Sequence, residues 1–371
     1  MSHHTRLTIV SGALLFAAPG LAATQARDAP GAVTAELRPK TVIVEVDPNG
    51  QYLNFDVLLN NRDSDALTLV FLEMEAYDDA GRFLMRRQMG SNGLPGAIST
   101  IPHREVPAGG ATTIFNPFVR WPRHLPMARI RLTLFFDRGP RLTLDTSLLR
   151  WHPDVPLRLP FERAVVVVDG NDFFSHHRRV SLTHPIAQQL GMEVLTQRFA
   201  IDFTVIDDRG ARRRGPGEEI ENWYAWDTAV FSPAEGMVVY ARGDVPDNRI
   251  GPNGSVIKPD DLASFGDDAS AGNYVVLRHD ADEFTMLAHF REGTVAVRPG
   301  DRVQPGQFLG RLGLSGDTAY PHLHFQVQDG ADIMTSNPRP AYFECVLHQP
   351  GDVVHDGMAR LMSGAWVGPC Q

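Results

Sequence analysis

Short segments rich in apolar and β-branched residues, separated by polar turns, recur through much of the first half of the chain. TVIVEV (41–46), LTLVFLEMEAY (67–77) and ARIRLTLFF (128–136) are typical of β-strands, and no segment keeps a helical period for long. Turn-forming residues such as Pro48-Asn49-Gly50 and Gly109-Gly110 separate the segments. The pattern predicts short strands packed as an immunoglobulin-like, antiparallel β-sandwich over residues 27–150. Because this region has no cluster of catalytic residue types, we interpret it as a binding or positioning module.

A second β-rich region follows a segment with three prolines. WHPDVPLRLP (151–160) interrupts the strand pattern, and we place a linker at residues 151–164. Glycine-rich segments with strand-like alternation then continue through residues 165–345. They predict a second, antiparallel β-sheet domain, and residues 346–371 are interpreted as a C-terminal tail. The expected fold class is therefore mostly β.

One strand of the second region has two histidines on one face. In YPHLHFQV (320–327), alternation places Leu323, Phe325 and Val327 on one face and His322 and His324 on the other. Two imidazoles on a polar strand face can simply be solvated. They form a functional site only if other parts of the chain supply partners.

Two further segments have residues of the types that bind metals. In RFAIDFTVID (198–207), alternation puts Asp202 on the face opposite Phe203. In EFTMLAHFREG (283–293), alternation puts Met286, Ala288 and Phe290 on one face and Leu287 and His289 on the other, so His289 is near a strand end, on the face opposite Phe290. An exposed strand aspartate and a structural histidine are the alternatives for these two positions.

Composition and the N-terminus indicate the class of protein and its compartment. The 371 residues are 43% hydrophobic with a net charge of −9, which allows two cores and does not indicate nucleic-acid binding. Arg6 precedes an apolar run (7–18) and small residues through Ala26, the layout of a secretory signal peptide at residues 1–26. We therefore expect an exported protein, periplasmic or extracellular, without stable membrane insertion.

The two cysteines are both near the C-terminus. In an oxidising compartment, Cys345 and Cys370 can form a bridge that attaches the last segment to the preceding domain. Two unpaired thiols are the alternative. A zinc site on these cysteines would need further thiolates or histidines nearby, and the sequence supplies none at short spacing.

The second region resembles a known family. AHF (288–290), GDRVQPGQFLGRLGLSG (300–316) and PHLHF (321–325) occur in an order similar to that of the LytM-type, lysostaphin-like zinc metallopeptidases, which cut peptide bonds in peptidoglycan. The resemblance implies that Asp202 and His324 bind one zinc ion per chain. It also implies that His322 is the general base or orients water, and that His289 stabilises the oxyanion.

The sequence differs from the commoner family pattern at one ligand. That pattern has a histidine four residues before the aspartate, where this chain has Arg198, and a protonated guanidinium offers no acceptor. A secreted branch pairs a QRxAxD motif with an upstream histidine, which resembles SHHRR (175–179) followed by QRFAIDF (197–203). On this resemblance we expect His177 as the first ligand, with His176 and His184 as alternatives.

The resemblance implies two functions. The first is a zinc metalloendopeptidase that hydrolyses peptidoglycan cross-link peptides through activated water. The second is a degenerate, non-catalytic domain that binds the cell wall or activates a partner amidase, and Arg198 is the residue that supports it. Zinc bound by the purified protein distinguishes the two.

Overall fold

The computed structural model describes residues 33–93, 96–101, 104–139, 141–173, 175–189, 192–348 and 354–370. The predicted signal peptide (1–26) lies outside these residues. The described parts are almost entirely β, as predicted, and contain no helix long and apolar enough to cross a bilayer.

The described strands follow one another closely along the chain. In order they are β1 (Val33–Arg38), β2 (Val42–Asp47), β3 (Gly50–Leu53), β4 (Asp56–Asn61), β5 (Leu67–Tyr77), β6 (Phe83–Gly90), β7 (Glu105–Val106), β8 (Ala111–Phe115), β9 (Arg120–Trp121), β10 (Arg129–Phe136), β11 (Leu142–Arg150), β12 (Val165–Asp169), β13 (Ile201–Thr204), β14 (Ala229–Phe231), β15 (Gly236–Ala241), β16 (Arg249–Ile250), β17 (Val256–Ile257), β18 (Asn273–Arg278), β19 (Phe284–Phe290), β20 (Arg302–Val303), β21 (Phe308–Arg311), β22 (Leu323–Gln328), β23 (Pro338–Arg339), β24 (Phe343–His348), β25 (Val354–Ala359) and β26 (Trp366–Pro369).

The helices in the described residues are short. The α-helix is α1 (Pro185–Gln189), and the 3-10 helices are Ala97–Thr100, His176–Arg178, Ile220–Asn222, Pro252–Gly254, Leu262–Phe265 and Ala269–Ala271.

Two sheets form the N-terminal sandwich. The smaller has the order β1-β4-β8, and the larger has the order β6-β5-β10-β11-β2-β3-β9 with β7 paired to β5. Val57 and Ile114 of the smaller sheet share one apolar core with Val44, Leu72 and Leu132 of the larger. The predicted β-sandwich is confirmed.

One strand pair in the sandwich is parallel. Leu148 pairs with Val42 and Arg150 with Val44, so β11 runs alongside β2 in the same direction. Parallel neighbours need a long connection, and here most of the sandwich lies between the two strands in sequence. The antiparallel β-sandwich predicted from the sequence does not include this parallel pair.

The second region forms one large sheet around its own core. The sheet has the order β20-β15-β18-β19-β22-β13-β12-β26-β24-β25, with β23 added to β22. Ile201 and Phe203 of β13 face this core together with Leu323, Phe325 and Val327 of β22. The predicted apolar faces of these two strands are therefore confirmed, and the opposite faces are free to form a site.

The C-terminal segment belongs to the same sheet. Val367 of β26 pairs with Val165 of β12, and β26 also pairs with β24. A disulfide joins Cys345 to Cys370, with 5.8 Å between the Cα atoms, so of the two alternatives the bridge is the one observed. The predicted C-terminal tail (346–371) therefore contains strands of this sheet, and we propose to include these strands in the second domain.

Candidate metal centre

Strand pairing brings the predicted ligands of β13 and β22 together. Asp202 lies directly opposite His324, and on the other side of β22 the small side chain of Ala288 is opposite His324. Side chains opposite each other on neighbouring antiparallel strands share a face. This face forms the floor of a cleft of about 430 Å³.

The carboxylate of Asp202 is at the centre of a group of histidines. Its Oδ2 is 3.0 Å from Nε2 of His177 and 3.5 Å from Nε2 of His322, and its Oδ1 is 3.2 Å from Nδ1 of His324. All four residues are buried. The structure therefore brings the expected ligands His177, Asp202 and His324 into one cluster, although they come from three separate segments.

In each of the two expected histidine ligands, the ring nitrogen that points away from Asp202 is hydrogen-bonded to a glutamine. His177 Nδ1 is 3.0 Å from Gln197 Oε1, and His324 Nε2 is 3.0 Å from Gln326 Oε1. An amide oxygen only accepts, so each of these ring nitrogens carries the proton and donates it. The nitrogens that face Asp202, Nε2 of His177 and Nδ1 of His324, consequently present lone pairs.

These lone pairs match the requirements of a bound cation. Nε2 of His177 is buried and forms no hydrogen bond with any residue that the structure describes, despite its closeness to Asp202. A lone pair facing a carboxylate is unfavourable unless a positive charge is shared between them. Two imidazole nitrogens and one carboxylate form the donor set of a catalytic zinc site with an open fourth position. The residues present therefore fit zinc.

The orientation of Gln326 is fixed by its neighbours on the same strand face. Its amide nitrogen donates to Gln328 Oε1, and the Gln328 amide nitrogen donates to the backbone oxygen of Gly330 at 2.7 Å. A backbone oxygen cannot donate, so this contact sets the orientation of both amides. The chain of hydrogen bonds thereby keeps the proton of His324 on Nε2.

The pKa shifts of Asp202 and His177 favour the protonation states in which these two residues bind a metal. Burial acts to raise the pKa of Asp202, but the neighbouring imidazoles, His177 and His322 first among them, outweigh it and bring this pKa well below its usual value. Burial lowers the pKa of the His177 imidazole. Neutral pH therefore leaves an ionised carboxylate next to a neutral imidazole, the states in which these groups bind metals.

His322 and His289 lie beside each other in the cleft. Nδ1 of His322 is 2.9 Å from the backbone oxygen of Tyr320, and Nδ1 of His289 is 2.8 Å from that of Ser315. Both Nδ1 atoms therefore carry the proton, and both Nε2 atoms are proton acceptors when the rings are neutral. The ring centres are 4.8 Å apart. Burial, followed by the charges of His322 and His324, lowers the pKa of His289 well below its usual value.

A β-bulge directs His289 into the cleft. Strict alternation would give His289 the same face as Leu287, which is in the core, but His289 lines the cleft with Met286 and Ala288. The register with β18 shifts here, and His289 has a φ of 68°. An extra residue in one strand re-aims a side chain in this way, often next to an active site. The prediction that His289 and Phe290 point to opposite sides is confirmed, but the face we gave to each was wrong.

The two alternative first ligands are placed differently. His176 is exposed, and its Nδ1 is 2.8 Å from Asp169 Oδ2. Ligand atoms of His176, His177 and Asp202 lie within 4.8 Å of one another, so His176 is close enough to share a metal ion with them. His184 is exposed and is not among the residues that line the cleft.

Arg198 points away from the cleft. It is buried, forms an ion pair with Asp56 of the sandwich, and donates to Asn54 Oδ1 at 3.2 Å. The roles of Gln197, Gln326 and Asp56 were not predicted from the sequence. A signal was present for Gln326, which alternates with His322 and His324 on one strand face, and for Gln197, which is the first residue of the QRxAxD motif.

Comparison with known proteins identifies part of the chain. Residues 224–336 match the model of Peptidase family M23. They form a Peptidase family M23 domain. The M23 match contains His289, His322 and His324, and it begins after His177 and Asp202 in the sequence.

Similar proteins include two curated sequences. The chain is 40% identical over 55 residues to the peptidoglycan DD-endopeptidase ShyC of Vibrio cholerae serotype O1, a match that covers 15% of this chain and 12% of that protein. It is 37% identical over 60 residues to an uncharacterized metalloprotease of Buchnera aphidicola subsp. Baizongia pistaciae, covering 15% of each. The matches thus span less than a sixth of either relative.

Two solved peptidase structures are also among the similar proteins. The catalytic domain of lysostaphin from Staphylococcus simulans is 20% identical, with a TM-score of 0.24, over 38% of this chain and 73% of that one. A zinc-containing peptidase from Vibrio cholerae is 14% identical, with a TM-score of 0.27, over 80% of this chain and 85% of that one.

Proposed function

We propose that this protein is a zinc metalloendopeptidase that hydrolyses peptide bonds in peptidoglycan cross-links. The observation that carries the proposal is the convergence of His177 Nε2 and His324 Nδ1 on the two oxygens of Asp202. The M23 domain and the similarity to a peptidoglycan DD-endopeptidase support the reaction class and the substrate.

The first-ligand assignment is part of the proposal. His177, Asp202 and His324 would hold one zinc ion, which when bound supplies a Lewis acid that polarises the scissile carbonyl and lowers the pKa of water. Gln197 and Gln326 keep the ligand histidines in the tautomer that this task needs.

His322 is proposed as the general base. Its Nδ1 proton is held by the Tyr320 carbonyl, so its Nε2, which faces Asp202, is free to accept a proton from the attacking water. The proton then passes to the leaving amine.

His289 is proposed to stabilise the oxyanion. Its Nδ1 proton is bonded to the Ser315 carbonyl, so Nε2 can donate to an oxyanion only when the ring carries a second proton.

Export is proposed on two grounds. The N-terminal apolar run (7–18) has the layout of a signal peptide, and the Cys345–Cys370 bridge is of a kind that persists in oxidising compartments. Sequencing the N-terminus of the protein isolated from its native cells tests this, because cleavage near Ala26 is expected and an intact leader would contradict it.

Digestion of purified peptidoglycan sacculi tests the activity. The wild-type protein should release peptide fragments that mass spectrometry assigns to cleaved cross-links, and chelation followed by zinc should abolish and restore the release. His322→Ala should be inactive, whereas His124→Ala, which changes an exposed histidine of the sandwich, should be fully active. Sacculus binding without any fragments would instead support the non-catalytic alternative.

A further inference from the structure

Buried ion pairs join the sandwich to the second region. Glu45 binds Arg178 with both carboxylate oxygens, at 2.8 and 3.1 Å, and accepts a third bond from Arg360 at 3.0 Å. Asp56 forms an ion pair with Arg198. These five residues, which we call the interdomain ion cluster, are all buried. Ionised side chains are rarely buried in this number without a structural or functional reason.

Two of the three arginines are adjacent in sequence to residues of the metal centre. Arg178 follows His177 directly. Arg198 follows Gln197, whose Oε1 accepts the proton of His177 Nδ1. The segment that contains His177 and the segment that contains Gln197 are therefore each bound to the sandwich through the arginine that follows.

His177 has little other support from regular structure. It lies in the 3-10 helix His176–Arg178, which is only one turn long and is not paired with any described strand of the sheet. Asp202 and His324, in contrast, lie on paired strands of the sheet interior. A metal ligand must be held to within a fraction of an ångström, and a ligand on a short turn needs outside contacts to achieve this.

The sandwich supplies those contacts from rigid positions. Glu45 lies in β2 and Asp56 in β4, both of which are paired on two sides. The two-oxygen contact between Glu45 and Arg178 fixes the direction of the guanidinium as well as its distance. Burial acts to raise the pKa of Glu45, but Arg178 and Arg360 outweigh it and lower this pKa, which keeps the carboxylate charged.

We propose that the N-terminal sandwich completes the metal centre of the second region. Glu45 acting through Arg178, and Asp56 acting through Arg198, are positioning residues that hold His177 and Gln197 where zinc requires them. This inference rests on the proposed zinc site. It gives the sandwich a role in assembling the site, and it explains why arginine stands four residues before Asp202.

A matched pair of variants tests the inference in the full-length protein. Arg178→Met and Arg360→Met each remove one arginine from Glu45, but only Arg178 is next to a proposed ligand. Zinc affinity is measured by competition with a chromophoric chelator, and folding by circular dichroism. We expect Arg178→Met to bind zinc about 10- to 100-fold more weakly, the range found for residues that support ligands. Arg360→Met should keep the wild-type affinity.

Two conservative variants keep the test informative if a methionine variant fails to fold. Arg178→Lys and Arg360→Lys keep the buried charge, and the lysine at 178 should restore part of the zinc affinity without restoring all of it, because it lacks the two-pronged contact. Equal zinc affinities in the Arg178 and Arg360 variants would overturn the inference while leaving the zinc site intact. A wild-type protein that binds no zinc would overturn both the inference and the proposed function.

Discussion

Arg198 and Asp56 form a buried ion pair between the two halves of the chain. Arg198 stands four residues before Asp202, where the commoner pattern of the resembling family has a histidine ligand. In this chain His177, on a different segment, places an imidazole nitrogen 3.0 Å from Asp202, and Arg198 forms an ion pair with the sandwich instead. Arginine at position 198, which in the sequence suggests a lost metal ligand, is thus compatible with a complete set of zinc donors around Asp202.

Replacing the first ligand should remove the metal. His177→Ala is expected to weaken zinc binding by more than about 100-fold, beyond the range of residues that only support ligands, because one of three donors is lost. The measurement is zinc per chain after dialysis against a weak chelator. His176→Ala is the matched control and should retain zinc; the opposite result would assign the ligand to His176.

Replacing the catalytic histidines should separate turnover from metal binding. His322→Ala and His289→Ala are each expected to lower the rate of peptidoglycan cleavage by about 10²- to 10⁴-fold, the usual contribution of a positioned acid or base. Zinc content should stay at the wild-type level, because the donors of His177, Asp202 and His324 are untouched. Loss of zinc in parallel with activity would instead make these histidines ligands.

The glutamine chain behind His324 should tune zinc affinity. Gln326→Leu removes the acceptor for His324 Nε2–H, and we expect zinc binding about tenfold weaker, since the ring is no longer fixed in the ligating tautomer. The change should appear in the nitrogen-15 chemical shifts of the histidine side chain in the metal-free protein. Gln304→Leu, at an exposed glutamine, is the control. Unchanged affinity and shifts in Gln326→Leu would show that the amide has no such role.

The contribution of Glu45 to stability should depend on pH. Its pKa is lowered from 4.5 in the folded protein, so the unfolded chain binds a proton first as the pH falls. The stabilisation is therefore complete above about pH 4.5 and is lost as the pH falls through the folded pKa. Glu45→Gln should cost about 3 kcal/mol in the free energy of unfolding at pH 7, because two arginines lose their buried partner. Denaturant titrations of both proteins should show this difference shrinking below pH 4.5, and a constant difference would contradict the account.

The disulfide should stabilise the second sheet without shaping the metal centre. Cys345 and Cys370 are 25 residues apart, and closing a loop of this size stabilises the folded state by about 3 kcal/mol. The double replacement by alanine should lower the free energy of unfolding by about this amount while zinc per chain is unchanged. Loss of zinc at temperatures where the variant is folded would show that the bridge supports the site.

Periodicity predicted the strands that carry the site. Alternation placed Leu323 and Phe325 in the core and His322 and His324 on the opposite face, because β22 is a regular strand with partners on both sides. The same rule failed at His289, where a bulge adds a residue to β19. A bulge depends on pairing with β18, which a pattern within one segment does not reveal.

The remaining parts of the site depend on contacts distant in sequence. The proposal of His177 over His176 and His184 depends on its contacts with Asp202 and Gln197, and the interpretation of Arg198 depends on Asp56, 142 residues away. Neither contact follows from local spacing, because Gln197 lies 20 residues after His177 and Asp56 lies in the sandwich. The resemblance to a family supplied the expected ligand types, and the structure supplied the contacts that orient them.

Anomalous diffraction at the zinc absorption edge, from crystals of the zinc-loaded full-length protein, shows whether one zinc ion binds to the three proposed ligands. We expect one strong peak at about 2.0–2.2 Å from His177 Nε2, an oxygen of Asp202 and His324 Nδ1, the distances typical of zinc bound to nitrogen and oxygen. No peak in the cleft, or a peak bound by other residues while these three side chains point elsewhere, would contradict it.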